Sequence, residues 1–295
     1  MAVYLGNQLI GNGLYLGNQN YRDSNVFMSM SSAPPPPVDN WPTALNAGLI
    51  GRWEVTNAAS WPGSGSTFTN LATGSTSGQF AMAMTSSAID TTNGVQWFGD
   101  TSARGYGMLF GVTGSFASGS YALNSTIVGS TNQVTALVLC FVSSSTPTNQ
   151  EGVLINSWTD YEDQDFWLIG KDGARAVRTN SGYNVANDLT GYTVTNTNKL
   201  YGGRLTLSSN QMWRGTSNFA TFGVSGASFG VTVEKAKRSS WTLGSQFNYD
   251  VTPNSMNRSN FQGKWFAAYM WNRILSDTEM QDVQTYTNTY VKANS

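Results

Sequence analysis

The acidic run Asp160-Tyr161-Glu162-Asp163-Gln164-Asp165 is the densest group of carboxylates in the chain. Two chemistries use carboxylates at such density. A calcium ion takes several oxygen ligands from one flexible loop, and Asp160, Glu162, Asp163 and Asp165 could supply them. Glycoside hydrolysis uses two carboxyl groups, one as acid and the other as nucleophile or base. On a strand such a pair alternates, so that both groups share a face. These acids lie between Ile155 and Phe166, where a connection is expected and not a strand. A solvated acidic loop is the simplest expectation, Ca2+ is the alternative, and no residue is assigned a catalytic role.

Trp158 and Tyr161 stand on the same stretch. Flat aromatic faces suit sugar rings, so these two are the candidate glycan-binding residues, with Trp61 in a similar loop setting. Trp97, Trp213, Trp241, Trp265 and Trp271 fall in strand-like stretches, where a sandwich uses tryptophan as core. The chain has no histidine, which removes Ser-His-Asp and Cys-His constellations and histidine-ligated metals. Its single cysteine, Cys140, lies in the apolar run Val134 to Val142 and is expected to be buried and inert. Gly11-Asn12-Gly13 lacks the lysine and helix of a phosphate loop.

The elements that must position these residues are strands. Only 11% of the 295 residues are charged, while hydrophobic residues make up 40%. Ser, Thr, Asn and Gly replace the missing charge, which suits short strands joined by turns and disfavours long exposed helices. Strands are expected at Leu49 to Val55, Thr135 to Val142, Gly152 to Asn156, Phe166 to Ile169, Leu200 to Ser208, Gln211 to Arg214, Trp241 to Gly244 and Gly263 to Asn272. One helix is expected at the end. Ser276 and Glu279 form a capping box, and Met280, Val283, Thr287, Tyr290 and Val291 fall on one face.

Upstream, Tyr4-Leu5-Gly6-Asn7-Gln8 recurs as Tyr15-Leu16-Gly17-Asn18-Gln19. Small strands at Val3 to Leu5 and Leu14 to Leu16, around Gly-Asn turns, are too few to be stable alone and must dock on a surface. Four prolines at 34–37 form a semi-rigid spacer. The expected organisation is an arm over 1–32, a linker over 33–38 and one large body over 39–295. The net charge of −1 argues against nucleic acid as a partner, and Lys235, Lys237 and Arg238 are expected to be a solvated strand end or loop. The beginning of the chain is not expected to act as a signal peptide, and no stretch approaches the ~20 apolar residues that cross a bilayer, so no membrane insertion is expected.

Three segments resemble a known family. Phe261 to Met280, with Asn272, Arg273, Leu275, Ser276 and Glu279, is similar to the closing strand and turn of concanavalin-A-like/laminin-G-like domains, with Trp271 in place of the usual tyrosine. Ser60-Trp61-Pro62-Gly63-Ser64-Gly65 through Leu71 resembles an early segment of phage laminin-G-like virion proteins, and Gly94 to Gly99 matches a later one loosely. The resemblance implies an all-β, antiparallel two-sheet jelly roll. It further implies a bacteriophage virion structural protein, tail- or fibre-associated or decorating the capsid, made in the host cytoplasm and carried in the virion. Tyr4, Leu5, Tyr15 and Leu16 would anchor it to other virion proteins, and the body would form a homo-oligomer. A carbohydrate-binding receptor-recognition module for host glycan is the alternative. A divergent glycosidase is the second alternative, although the acidic run does not reproduce the Glu-x-Asp-x-x-Glu pattern of the laminarinase-type enzymes that share the fold. The expectation is a chain that is not an enzyme and needs no cofactor.

Overall fold

The computed structural model describes residues 3–5, 8–10, 38–62, 67–73, 81–84, 95–100, 105–110, 117–118, 133–142, 153–158, 165–170, 173–179, 182–185, 192, 197–205, 209–215, 217–223, 240–243 and 263–291. Contacts divide the chain into Met1–Pro36 and Pro37–Ser295. In the first unit β1 (Val3–Leu5) pairs antiparallel with β2 (Gln8–Ile10), Leu5 opposite Gln8. The partner of β1 thus follows directly after Gly6-Asn7, a two-residue hairpin connection of the commonest length. The expected strand at Leu14 to Leu16 lies outside the described residues.

The second unit is an all-β sandwich with a short C-terminal helix, as the composition implied. Its strands in chain order are β3 (Leu49–Glu54), β4 (Thr67–Phe68), β5 (Met82–Met84), β6 (Val95–Asp100), β7 (Gly105–Phe110), β8 (Ala117–Ser118) and β9 (Val134–Val142). There follow β10 (Val153–Trp158), β11 (Asp165–Gly170), β12 (Gly173–Thr179), β13 (Gly182–Val185) and β14 (Asn198–Leu205). The last are β15 (Ser209–Arg214), β16 (Ser217–Gly223), β17 (Ser240–Leu243) and β18 (Gly263–Trp271). One sheet has the order β13-β12-β11-β10-β17-β8-β5-β4. The other runs β16-β15-β14-β9-β18-β7-β6, with β3 beside β7 on the free edge of β18.

Charge and volume explain the layers. The β9 run Val-Thr-Ala-Leu-Val-Leu-Cys-Phe-Val is buried along its length apart from Phe141. A strand that is apolar on both faces must be covered on both. The first sheet covers one face, where Phe68 meets Trp265 edge to face at 5.4 Å. The helix α1 (Asp277–Tyr286) and its π-helical continuation Thr287–Val291 cover the other. Met280, Val283, Tyr286, Tyr290 and Val291 pack there in one core with Leu137, Leu139, Tyr269 and Trp271. Ser276 accepts from the Glu279 backbone N–H, and the Glu279 carboxylate accepts from the Ser276 N–H, completing the capping box.

The Ser60 to Leu71 segment closes the outer edge of β3. The Asn70 side chain accepts from Arg52 N–H at 2.8 Å and donates to the Ile50 carbonyl at 2.9 Å, and Leu71 N–H donates to the Arg52 carbonyl. An edge satisfied in this way offers no template to another chain. Trp61, expected in a loop, is in a loop but buried, stacked 6.2 Å from Phe68.

Candidate functional site

Two places bring polar groups together, and they differ in access. The first lies between the second sheet and the helix. Arg52 and Glu54 alternate on β3 and therefore share the face that α1 covers. Glu54 is fully buried and accepts from Arg52 Nε at 2.8 Å, Arg52 Nη2 at 3.1 Å, Tyr269 Oη at 3.2 Å and Asn57 Nδ2 at 3.3 Å. Arg52 Nη2 also meets Asp39 Oδ2 at 2.7 Å and donates to Tyr286 Oη at 2.6 Å. The Tyr286 hydroxyl stands 3.1 Å from both Asp39 Oδ1 and Glu54 Oε2, and shares its one proton between them. The guanidinium lies 4.4 Å from the Trp41 ring centroid and 5.2 Å from that of Tyr286.

Burial acts to lower the Arg52 pKa, but the charge and hydrogen bonds of Glu54 outweigh it and the net shift is upward. Burial is also the main reason that the Tyr269 and Tyr286 hydroxyls are pushed up, with the Glu54 charge adding to it. The guanidinium is therefore held charged beside neutral phenols. The tyrosines and Glu54 face no solvent through which a substrate could enter. What this arrangement can do is hold Asp39, β3, β18 and α1 together. Sequence reading missed it, because Arg52-Trp53-Glu54 looks like an ordinary alternating strand and the partner Tyr286 lies 234 residues from Arg52.

The second place is on the far face of the first sheet. Thr67 is exposed and its neighbour Phe68 fully buried, which fixes the two faces. Directly paired residues share a face. From Thr67 the register runs through Ala83, Ser118, Thr242, Asn156, Leu168 and Arg175, crossing seven of the eight strands. The alternate row, Met84, Ala117, Leu243, Ile155, Ile169 and Ala174, is apolar throughout and shares the face of the buried Phe68 and Met82. Two residues beyond Asn156 on β10 stands Trp158, paired with Ser240 on one side and Asp165 on the other.

The structure thus corrects the placement of both residues. Trp158, expected in a loop, ends β10, and Asp165, expected on the connection, opens β11. The cause is a bulge. Ser157 pairs with Trp167 and Trp158 with Asp165, so Phe166 is the extra residue and the phase of β11 changes after it. The bulge brings Asp165 onto the Thr67 face beside Trp158. Asp160, Tyr161, Glu162 and Asp163 lie outside the described residues, as do Tyr15 and Leu16, whereas Tyr4 and Leu5 belong to β1. Cys140 is buried as expected, and burial pushes its thiol up. Among the described residues, no group of three or more His, Cys, Asp or Glu is placed to hold a metal ion, and no helix is long and apolar enough to cross a membrane.

No protein-family model and no curated protein matches the chain. Solved structures match it in fold. A Trypanosoma rangeli sialidase in complex with 2,3-difluorosialic acid superposes with a TM-score of 0.52 at 12% identity, covering 85% of this chain and 34% of the sialidase. The chain therefore spans about a third of the sialidases it resembles. Domain 4 of a GH43 extracellular arabinanase from Geobacillus stearothermophilus, in complex with arabinotriose, gives 0.50 at 11% identity over 81% of this chain and 98% of that domain. A mutant of HCR/D gives 0.51 at 11% identity, over 82% of this chain and 52% of the other.

A sialidase and an arabinanase domain are among these neighbours, the likeness to them is one of fold, and none connects the chain with a phage. They also overturn the expectation that the chain is not an enzyme, since the fold recurs in sialidases and in an arabinanase. That expectation rested on missing histidines and on one carboxylate spacing. Glycoside hydrolysis needs no histidine, sialidases use a tyrosine nucleophile, and the separation of two carboxyl groups is set by the fold and not by sequence spacing.

Proposed function

We propose that the body Pro37–Ser295 is a carbohydrate-binding β-sandwich and that the Trp158 face of its first sheet is the binding surface. The observation that carries this reading is the register that sets Trp158 between Ser240 and Asp165, with Asn156 and Thr242 in the next row. A tryptophan in register with a serine and an aspartate, next to an asparagine–threonine pair, supplies the residue types that stack on and hydrogen-bond to a sugar. The likeness to an arabinanase domain in complex with arabinotriose, along nearly the whole of that domain, supports it. On a glycan array and in affinity electrophoresis, Trp158→Ala weakens retention about tenfold, or ~1.4 kcal/mol. Its melting transition stays unchanged. An intact chain that retains no glycan would sink the reading. Incubating the retained glycans with the chain and measuring released sugar tests for turnover at the same time.

A second, finer reading concerns the arm. The hairpin β1–β2 has three residues in each strand and forms part of a separate unit. A hairpin of that size is marginal by itself and gains stability by adding to another sheet edge. In this reading residues 1–32 anchor a homo-oligomeric, glycan-binding body to neighbouring proteins of a virion, with Tyr4, Leu5, Tyr15 and Leu16 as the anchoring side chains. Deleting 1–32 should leave a folded body that no longer enters particles. Normal incorporation of the truncated chain would end it.

A further inference from the structure

The Asp39 side of the buried cluster is built differently from the Glu54 side. Asp39 Oδ2 stands 2.7 Å from Arg52 Nη2 and 3.4 Å from Asn57 Nδ2, and its Oδ1 stands 3.1 Å from Tyr286 Oη. All three of these groups also reach Glu54: Arg52 Nη2 at 3.1 Å, Tyr286 Oη at 3.1 Å and Asn57 Nδ2 at 3.3 Å. Glu54 is fully buried, whereas the Asp39 side chain is 36% exposed. Two carboxylates thus meet one guanidinium. When Asp39 leaves, Arg52 keeps a counter-ion, the Tyr286 hydroxyl donates to Glu54 alone, and Asn57 keeps an acceptor. No buried charge or donor is orphaned, and orphaning is what makes a buried pair costly to break.

The segment that carries Asp39 is equally self-contained. Residues 38–41 belong to no helix or strand, and the Trp41 N–H donates to Asp39 Oδ1 at 3.1 Å, within the segment itself. The next fixed point is Leu45, fully buried, whose carbonyl accepts from Trp271 Nε1 at 2.7 Å. Between them the Trp41 ring fills a groove. It stacks on Tyr269 at 5.4 Å and Trp271 at 6.3 Å, meets Tyr286 edge to face at 5.0 Å, and takes the Arg52 guanidinium over its face at 4.4 Å. The ring is half-buried, although the groups that line the groove are buried. Aromatic walls, a cation and two further donors, set side by side, match a carboxylate followed two positions later by an indole.

We infer that residues 38–41 are a detachable clasp, and that the groove they fill is a receptor for a peptide bearing an acidic residue two positions before a tryptophan. The Tyr286 hydroxyl is the element with two arrangements, shared between Asp39 and Glu54 when the clasp is closed and given to Glu54 when it is open. Closed, the chain is fixed to the body from Asp39. Open, it is fixed from Leu45, which adds residues 39–44, about 20 Å of extended chain, to the tether. The vacated groove then takes the same pattern from another chain. This inference is independent of the carbohydrate-binding reading.

The test uses the full chain carrying Asp39→Ala and Trp41→Ala together, and the capped peptide Pro-Val-Asp-Asn-Trp-Pro as the probe. The variant should still melt in one cooperative transition. In calorimetric titration it should bind the peptide, and the intact chain should bind it at least about tenfold more weakly, because its own clasp competes at high effective concentration. A peptide with alanine in place of the aspartate should bind the variant about tenfold more weakly. Loss of the cooperative transition overturns the inference, since it makes the segment an integral part of the core. A folded variant that binds no peptide at millimolar concentration overturns it as well. Equal binding by variant and intact chain, or of the peptides with and without the aspartate, does the same by placing the contact outside the groove.

Discussion

The two polar regions of this molecule teach opposite lessons about charge. Between the second sheet and the helix, Arg52, Glu54 and Asp39 make an ionic cluster of three charged groups, yet Arg52 and Glu54 are closed to solvent. On the far face of the first sheet, Ser118, Thr242 and Asn156 lie in step with the exposed Thr67, in a row that also holds Ala83, Leu168 and Arg175. Density of titratable groups marks cohesion in the first region. In the second, a row of mixed polar and apolar residues, with Trp158 two positions beyond Asn156, is the proposed recognition surface.

Substitutions sharpen this contrast. Arg52→Met should be the most damaging, because it leaves Glu54 buried without its cation. A loss of about 3–5 kcal/mol in a denaturant titration is expected, and a loss under about 1 kcal/mol would break the comparison by showing the cluster to be dispensable. Gly202→Ala follows. Its Cβ would run into the Ala136 carbonyl and the Leu137 side chain at the centre of the second sheet. The overpacking costs about 1–3 kcal/mol, seen as a lowered unfolding midpoint.

The helix cap gives a smaller, pH-dependent effect. Hydrogen bonding from Arg273, against the opposing effect of burial, lowers Glu279 from 4.5 to about 2. Its contribution is therefore complete above pH 4.5 and lost as pH falls toward 2. Ser276→Ala should cost about 1 kcal/mol at neutral pH. Glu279→Gln should flatten the acid limb of stability against pH, and an unchanged limb would show that the pair does not act. Least of all, Asn156→Ala on the far face should change stability by no more than about 0.5 kcal/mol. A larger loss would mean that this face is covered and not free to bind.

Local patterns in the sequence reached much of this fold. The Ser276–Glu279 box, the stripe from Met280 to Val291 and the apolar β9 run each follow from spacings within a few residues. The strand tryptophans Trp213, Trp265 and Trp271 are core residues for the same reason. Long-range pairing was not legible. Nothing near Arg52 announces Tyr286, and nothing near Trp158 announces that a bulge at Phe166 will carry Asp165 to its side. A bulge is a property of two strands in register, and a single strand's alternation holds no sign of it. The expectation of no enzyme rested on residue types and spacings, while catalytic carboxyl groups are defined by their distance in space.

The Asp39–Arg52 contact has a mechanical side. Asp39 comes two residues after Pro37, and Arg52 belongs to β3, which pairs with the central strand β18. A pull on the chain from upstream therefore reaches β3, and through it β18, by way of one guanidinium. Trp41, stacked over Tyr269 and Trp271 beside that contact, adds a ring that must slide before the strand can peel. Tethered by its leading end, the sandwich should resist traction better than its thermal stability alone would suggest.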